Sequence, residues 1–305
     1  MTTPFEKCLL AVNSPPVAIV YHFGCSDGIT ALAIMEVYLE QNHPQIKKES
    51  FCGIYQRHVD IELFRGKDVY LLDFSYPLET LKKIIDVAFN VTVIDHHKTA
   101  IENLDPIKDQ FINKLDINHC AAYLTWKFLY PDLDVPYFID LVNARDMWLK
   151  DNKDADYFNM AFITENGYEC AKLNTMKALV LKCLTDHSDI AIAKEMVTKG
   201  QNYKRCYDHL CKQIAKNSYD TTITDHDGKI LNVLMVNCHG QFASDVGALV
   251  ANRSPSGIAI TWHATDTKTK FSVRVKAGVN WDAGKYAAPY SGGGHPASAG
   301  YSVAH

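Results

Sequence analysis

Side chains that can bind a cation follow three short, apolar, β-branched segments in the first half of the sequence. These side chains are His22 and Asp27 after the first segment, Asp73 at the end of the second, and Asp95, His96 and His97 after the third. Carboxylate oxygens and imidazole nitrogens together suit a cation such as Mn²⁺. A single Asp after a strand is usually a turn or helix cap, but Asp-His-His directly after a β-branched strand is costly unless exposed or coordinated. The pattern therefore predicts a metal site, to which Asp146 in the helical segment Asn143–Trp148 is a further candidate.

The elements that must position these residues alternate between strands and helices. The predicted strands are Val17–Tyr21, Phe51–Tyr55, Asp68–Phe74 and Asn90–Ile94, and the predicted helices between them are Ile29–Leu39, with one apolar face, and Leu78–Ala88. This alternation is typical of βαβ units and a parallel sheet. Because ligands of open parallel sheets bind at the carboxyl ends of the strands, the acidic and histidine residues are expected to converge there.

The remainder of the chain changes character twice. A helical region runs from Cys120 to Lys216 and ends in the longest helix, Ile190–Lys216. The last 90 or so residues predict a smaller α+β domain with a hairpin around an Asp-Gly turn. Its predicted strands and helices are Thr221–Thr224, Ile230–Val236, Phe242–Ala251, Gly257–His263, Lys270–Lys276, Asp282–Ala287 and Tyr301–Val303. The predicted organisation is a catalytic α/β domain over residues 1–188, a connecting helix over 189–216 and a substrate-binding domain over 217–305.

Composition excludes several classes of protein. The 305 residues are 47% apolar and 22% charged, which is ordinary for a folded domain. A net charge of -4 argues against a protein that wraps a long duplex. We see no signal peptide and no apolar run long enough for a membrane span, so a cytoplasmic location with nine reduced cysteines is expected. Phosphate-loop, dinucleotide-binding and zincin motifs are also absent.

Four motifs in order along the chain resemble those of the DHH phosphoesterase superfamily. They are YHFGCSDG at 21–28, LLDFS at 71–75, VIDHHKT at 93–99 and SGGGHPASAG at 291–300. The last resembles the DHH-associated C-terminal domain. The closest subgroup is the oligoribonuclease (nanoRNase) and cyclic-nucleotide phosphodiesterase type. The resemblance implies a metal-dependent hydrolase with an N-terminal parallel-sheet domain, a helical linker and a smaller α+β domain.

The resemblance also implies a role for each acidic or histidine residue. Asp73 would bridge two divalent metal ions, with His22 on one of them. His96, Asp146 and Asp27 would complete the other site. His97 would touch the reacting phosphate or orient a ligand, and Asp95 would act on the site by holding its ligands from behind.

One position departs from the family pattern. Cys25 stands where the first motif has an Asp. Three interpretations stay open: the thiolate is a metal ligand, a neutral thiol lies beside the site, or the residue is unrelated to it. Mn²⁺ is the expected metal, with Co, Fe or Zn favoured if the softer sulfur coordinates.

The implied reaction is hydrolysis of a phosphodiester to a 5′-mononucleotide by a metal-bridging hydroxide. The C-terminal domain would bind the rest of the substrate. The backbone amides of Gly292, Gly293 and Gly294 can approach a phosphate closely. His295 lies next to them and is expected to contact the scissile or the adjacent phosphate as a catalytic residue. Arg274 is placed to pair with a phosphate or stack on a base, and Ser244 at a helix start is a further candidate.

Short RNA or DNA oligonucleotides, cyclic nucleotides and bisphosphate nucleotides are the expected substrates, with no membrane partner. A homodimer is one open possibility for the oligomeric state. Two other functions compete with this interpretation. One is a non-catalytic nucleotide-binding or scaffold member of the fold, and the other is a pyrophosphatase or polyphosphatase, against which the glycine-rich motif speaks.

Overall fold

The computed structural model describes residues 15–55, 57–149 and 151–305. The contacts divide the chain into two units, residues 1–203 and 204–305. The division falls within one continuous helix, Asp189–Lys216. The predicted division into three parts at residues 188 and 216 stays a prediction.

The N-terminal unit contains a five-stranded sheet in which every pair of neighbours is parallel. Its strands are β1 (Val17–His22), β2 (Lys48–Gly53), β3 (Asp68–Leu72), β4 (Asn90–Asp95) and β5 (Ile112–Leu115), in the order β2-β1-β3-β4-β5. The predicted α/β fold with a parallel sheet is confirmed. The short strand β5 was not predicted, since INKL is only four residues long and its two central residues are both polar, so it shows no strand-like alternation.

Eight helices of this part of the chain are described. They are α1 (Ser26–Asn42), α2 (Leu78–Val87), α3 (Lys98–Leu104), α4 (Ala121–Leu129), α5 (Tyr137–Asp146), α6 (Lys153–Glu165), α7 (Glu169–Thr185) and α8 (Asp189–Lys216). The expectation of a single apolar face on the first helix was wrong. Every residue of α1 from Asp27 to Leu39 is buried, because the helix packs against β1 and also against α4 and α7.

Both faces of the parallel sheet are buried in separate apolar clusters. Val17, Ile19 and Tyr21 of β1 belong to one cluster, together with residues of α1. Ala18 and Val20 belong to the other, together with Leu81 of α2. This alternation follows from the two-residue period of a strand. Strands buried on both faces account for the continuous apolar runs in the sequence.

The C-terminal unit is a six-stranded mixed sheet with two helices, α9 (Ala243–Ala251) and α10 (Ala283–Ala287). The strand order is β10-β11-β9-β8-β7-β6, and β7 and β8 form its parallel pair. The strands are β6 (Tyr219–Thr224), β7 (Ile230–Asn237), β8 (Ile258–Ala264), β9 (Lys268–Val275), β10 (Gly293–His295) and β11 (Ser298–Ala304). The predicted hairpin is present as the antiparallel pair β6 and β7.

The glycine-rich motif is part of this sheet. Gly293–His295 pairs antiparallel with Ser298–Gly300, so the last strand begins at Ser298 and is longer than the predicted Tyr301–Val303. Glycine is uncommon in strands, so the sequence pattern did not indicate β10.

Among the described residues, no helix combines the length and the apolar character that crossing a membrane requires.

Candidate metal centre

The carboxyl edge of the parallel sheet brings together side chains from three strands and two helices. Two triads of cation-binding side chains meet there: His22, Asp73 and His97 in one, and Asp27, Asp73 and His96 in the other. In each triad the ligand atoms lie within 4.8 Å of one another. Asp73 belongs to both triads, which is the arrangement that two neighbouring cations with a shared ligand require.

Asp73 follows β3 directly and is almost completely buried. Its φ of 55° places the backbone in the left-handed region, which is uncommon for residues other than glycine. Its Oδ2 lies 3.3 Å from His22 Nδ1, and its Oδ1 lies 3.3 Å from His96 Nε2. Asp73 Oδ1 and His96 Nε2 have no well-formed hydrogen bond within the described part of the chain. Because buried polar atoms are normally satisfied, this pair marks a place where a cation fits.

Electrostatics favours a positive charge at the same place. Burial alone would raise the pKa of Asp73, but the nearby imidazoles of His22 and His96 outweigh it and hold the pKa below its usual range. Burial also opposes protonation of His96, yet the adjacent carboxylate of Asp73 and the charges of Asp27 and Asp146 raise its pKa to about 9. Three acidic side chains around one imidazole thus favour positive charge at this place, which divalent cations would also supply. The donor set of carboxylates and imidazoles fits Mn²⁺.

Asp27 is positioned by a helix that lies far along the chain. Its two carboxylate oxygens accept hydrogen bonds from the backbone amides of Ala121 and Ala122, at 2.8 and 2.7 Å. The carboxylate therefore caps α4, whose own capping residue, Cys120, supplies no side-chain bond. Burial, followed by the charges of Asp73 and Asp146, raises the pKa of Asp27.

The first motif needs glycine after Asp27 for a packing reason. A Cβ at Gly28 would lie 2.5 Å from the backbone oxygen of His22. Close approach of α1 to the end of β1 therefore depends on the missing side chain. This approach places His22 and Asp27 next to each other.

Asp95 is fully buried and holds the two histidines that follow it. Its Oδ1 accepts bonds from the backbone amides of His96 and His97 and, at 2.7 Å, from Nδ1 of His97. Ser75 donates its hydroxyl to the other oxygen. The bond to Asp95 raises the pKa of His97 and leaves the Nε2 atom of that ring to contact a ligand.

Asp146 is the last residue of α5, and its Oδ2 lies 3.2 Å from His96 Nε2. Cys25 lies beside it, with Sγ donating to Asp146 Oδ1 over 4.0 Å. Burial, followed by the charges of Asp73 and Asp27, raises the pKa of the Cys25 thiol. Cys25 belongs to neither of the triads found among the described residues.

Two residues at this edge had no signal in the sequence. Glu169, at the start of α7, accepts a hydrogen bond from the amide of Gly24 at 3.1 Å and so holds the turn after β1. The ring of Tyr55 packs edge-on against His22, with ring centroids 5.3 Å apart. Both lie outside the motifs. Tyr55 ended a predicted strand, but β2 ends at Gly53, and nothing in the pattern marked either residue as a neighbour of the candidate ligands.

In the C-terminal unit the sheet register aligns two predicted binding residues. Arg274 of β9 lies opposite Ser298 of β11, which in turn lies opposite His295 of β10. Directly opposed residues project from the same face of a sheet. The Arg274 side chain runs alongside α9, where it would contact a Cβ at Gly247, and Ser244 lies in the first turn of this helix. Burial lowers the pKa of Arg274, and the charge of Asp245 opposes this shift. Its guanidinium Nη1 donates to Ser272 Oγ at 2.8 Å and to the carbonyl of Val273 at 2.9 Å.

Two glycines of the motif are required by the packing of the chain itself. A Cβ at Gly292 would lie 2.4 Å from the oxygen of Gly300, and one at Gly294 would lie 2.3 Å from the oxygen of Ser298. Gly293 faces open space. Phosphate binding by these three residues stays a prediction.

A separate cluster of possible ligands lies at the junction of α7 and α8. It consists of Cys183, His187 and Asp189. The family motifs do not include these residues.

Comparisons with known proteins bear on the fold. No protein-family model matches the chain. The chain is 25% identical over 294 residues to "Uncharacterized protein R106" of Acanthamoeba polyphaga mimivirus, covering 92% of this chain and 66% of that protein. It thus spans slightly less than two thirds of the length of that relative.

Two solved structures are similar over most of the chain. The pGpG-specific phosphodiesterase PggH from Vibrio cholerae gives a TM-score of 0.51 at 15% identity, covering 95% of this chain and 93% of PggH. RecJ in complex with Mn²⁺ from Thermus thermophilus gives 0.49 at 14% identity, covering 98% of this chain and 50% of RecJ. The likeness to PggH shows a shared fold. This α/β architecture is the one that the resemblance to DHH phosphoesterases implies.

Proposed function

We propose that the protein is a metal-dependent phosphodiesterase of the DHH type that hydrolyses short oligonucleotides or small nucleotides to 5′-mononucleotides. One observation carries the proposal: Asp73 is shared by two triads of cation-binding side chains at the carboxyl edge of the sheet. Two-metal sites built on such a shared carboxylate suit displacement at phosphorus. The fold shared with a pGpG-specific phosphodiesterase supports a nucleotide substrate of this size.

In this proposal His22, Asp27, Asp73, His96 and Asp146 hold two divalent cations, Mn²⁺ above all. When bound, the cations offset the charge that develops on the phosphate oxygens. The Nδ1–H of His97 donates a hydrogen bond to Asp95, so Nε2 of this ring contacts the phosphate. His22 is held in place by Asp73 and by the edge of Tyr55.

The C-terminal unit binds a phosphate or base of the same substrate in this proposal. Its half-buried Arg274 forms no ion pair within 4.0 Å among the described residues, although the charge of Asp245 acts on it, and it shares a sheet face with His295. A guanidinium without a carboxylate partner suits a phosphate. The net charge of -4 favours short substrates over long ones.

The test is hydrolysis of 5′-labelled RNA and DNA of two to five nucleotides, of cyclic dinucleotides and of pyrophosphate by the full chain. We expect release of 5′-mononucleotides with Mn²⁺ and none with chelator. Asp73→Asn should lower the rate by at least about 100-fold, because it removes the shared ligand charge.

The matched control is Glu62→Gln, the same carboxylate-to-amide change in an exposed ion pair with Arg65 just before β3. It should retain the wild-type rate. Turnover of pyrophosphate alone would replace the proposal by a pyrophosphatase. Nucleotide binding with no hydrolysis of any substrate would replace it by a non-catalytic member of the fold.

A further inference from the structure

Trp148 lies two residues after Asp146, and its side chain is 72% exposed. Burial of an indole is strongly favourable, so packing within the chain does not explain its position. A single exposed aromatic residue is common on protein surfaces and would by itself mean little. Three further features set this residue apart.

The first feature is the backbone. The amides of Trp148 and Leu149 bond back to the carbonyls of Arg145 and Ala144, which closes α5 with a Schellman motif. Trp148 takes the left-handed position of that motif, with φ at 55°, where glycine is the usual residue. A bulky side chain there strains the backbone by about 1–3 kcal/mol. Such strain is concentrated at ligand-binding positions.

The second feature is a cation stacked on the ring. The guanidinium carbon of Arg145 lies 4.9 Å from the centre of the Trp148 ring. Arg145 is itself held by Asp156, with Nε and Oδ1 3.3 Å apart. One face of the indole is thus occupied and its orientation is set. Because most of the ring remains exposed, the opposite face is available to a planar group.

The third feature is a cavity of about 280 Å³ that extends from the indole to Asp146, beside the metal centre. Its lining includes Trp148, Asn159, Gly24, Cys25, Ser26 and Asp146. Asp146 faces both the cavity and His96. A ligand with a phosphate beside Asp146 would have room to extend along this cavity towards Trp148.

We propose that Trp148, oriented by Arg145, is a stacking platform for the nucleobase next to the reacting phosphate. This inference rests on the proposed function and adds a base-binding subsite to it. Every base has a π-face, so stacking supplies affinity without selecting a particular base. Trp148 is then a binding residue, and Arg145 is a positioning residue that acts through it.

The test compares two ligands that differ only by the base. Binding of 5′-AMP and of ribose 5-phosphate to the full chain with Mn²⁺ is measured by calorimetry for the wild type, Trp148→Ala and Trp148→Phe. Stacking is worth about 1–3 kcal/mol per base, so Trp148→Ala should weaken 5′-AMP binding about 5- to 150-fold. It should leave binding of ribose 5-phosphate unchanged, and Trp148→Phe should restore most of the loss.

The control variant is Phe89→Ala, which removes another exposed aromatic ring directly before β4, at the opposite end of the sheet. It should bind both ligands as the wild type does. Equal weakening of both ligands by Trp148→Ala, or no weakening of either, would overturn the stacking platform.

Hydrolysis of dinucleotides by the same preparations separates the two proposals. If the wild type cleaves them and Trp148→Ala fails to raise KM, the inference fails alone. If the wild type cleaves nothing but Trp148 governs 5′-AMP binding, the proposed function fails and the subsite stands. If the wild type neither cleaves a substrate nor binds 5′-AMP, both fail.

Discussion

The carboxylate of Asp27 accepts a hydrogen bond from the backbone amide of Ala121, 94 positions further along the chain, at 2.8 Å. The adjacent amide of Ala122 bonds to the other oxygen. One side chain of the candidate metal centre thus also anchors the start of α4 against α1. The same buried carboxylate caps α4 and is a candidate metal ligand. Metal binding and the docking of α4 therefore involve the same oxygen atoms.

Replacing Asp27 by two different neutral residues isolates the cap. Asp27→Asn and Asp27→Ala both remove the charge, but only Asn keeps an acceptor for an amide of α4. We therefore expect Asp27→Ala to be less stable than Asp27→Asn by about 1–3 kcal/mol, the cost of leaving a buried donor unsatisfied. Urea unfolding of the full chain in chelator measures the difference. Equal midpoints for the two variants would show that the cap contributes nothing.

Asp95→Asn tests whether Asp95 positions His96 and His97. The substitution keeps the shape of the side chain but weakens its bonds to the backbone amides and to Nδ1 of His97. Loss of such a supporting carboxylate typically lowers metal affinity or activity about 10- to 100-fold. Titration with Mn²⁺, followed by calorimetry, measures this loss, with Glu62→Gln as the control. An unchanged Mn²⁺ affinity would argue against a supporting role.

Cys25→Ser distinguishes a sulfur ligand from a neighbouring thiol. Cys25 Sγ lies outside both triads and donates to Asp146, so we expect the serine variant to bind the same number of metal ions as the wild type. The Co²⁺-loaded wild type should then lack the intense near-ultraviolet absorption of a thiolate bound to cobalt. An absorption band of this kind in the wild type that disappears in Cys25→Ser would identify the thiolate as a ligand.

Asp68 predicts a dependence of stability on pH that is separate from the metal centre. Burial raises the pKa of this carboxyl to about 6, against which the hydrogen bond from Tyr70 acts. Because the folded pKa exceeds the unfolded value of 3.8, the folded state binds the proton more tightly. The contribution of Asp68 to the free energy of unfolding therefore falls as pH rises from about 4 to 6, by up to about 3 kcal/mol.

Asp68→Asn should remove this fall, because the amide is never ionised and its oxygen still accepts from Tyr70. The variant and the wild type should be similar in stability near pH 4, and the variant should be the more stable at pH 7. Urea unfolding at both pH values in chelator gives the comparison. A stability difference that does not vary with pH would contradict ionisation of Asp68 as its cause.

Local pattern was sufficient for most of the N-terminal unit. Continuous β-branched runs indicated β1, β3 and β4, and acidic or histidine residues at their ends indicated one edge of a parallel sheet. Prediction from the sequence failed for strands whose own residues carry little strand signal. The short strand β5 and the glycine-rich β10 were not predicted, since both depend on pairing with neighbours rather than on their own residues.

The sequence by itself determined that His22, Asp73 and the run at 95–97 reach the carboxyl edge, because the end of a strand follows directly from its apolar run. Only the tertiary structure decided how they are used there. The bonds from Asp27 to α4, the proximity of Asp146 to His96 and the alignment of Arg274 with His295 join segments that are distant in the chain. The left-handed backbone of Asp73 and Trp148 also emerged only in the folded chain. Such relationships depend on strand register and on helix packing, and both are set by long-range contacts that no local pattern encodes.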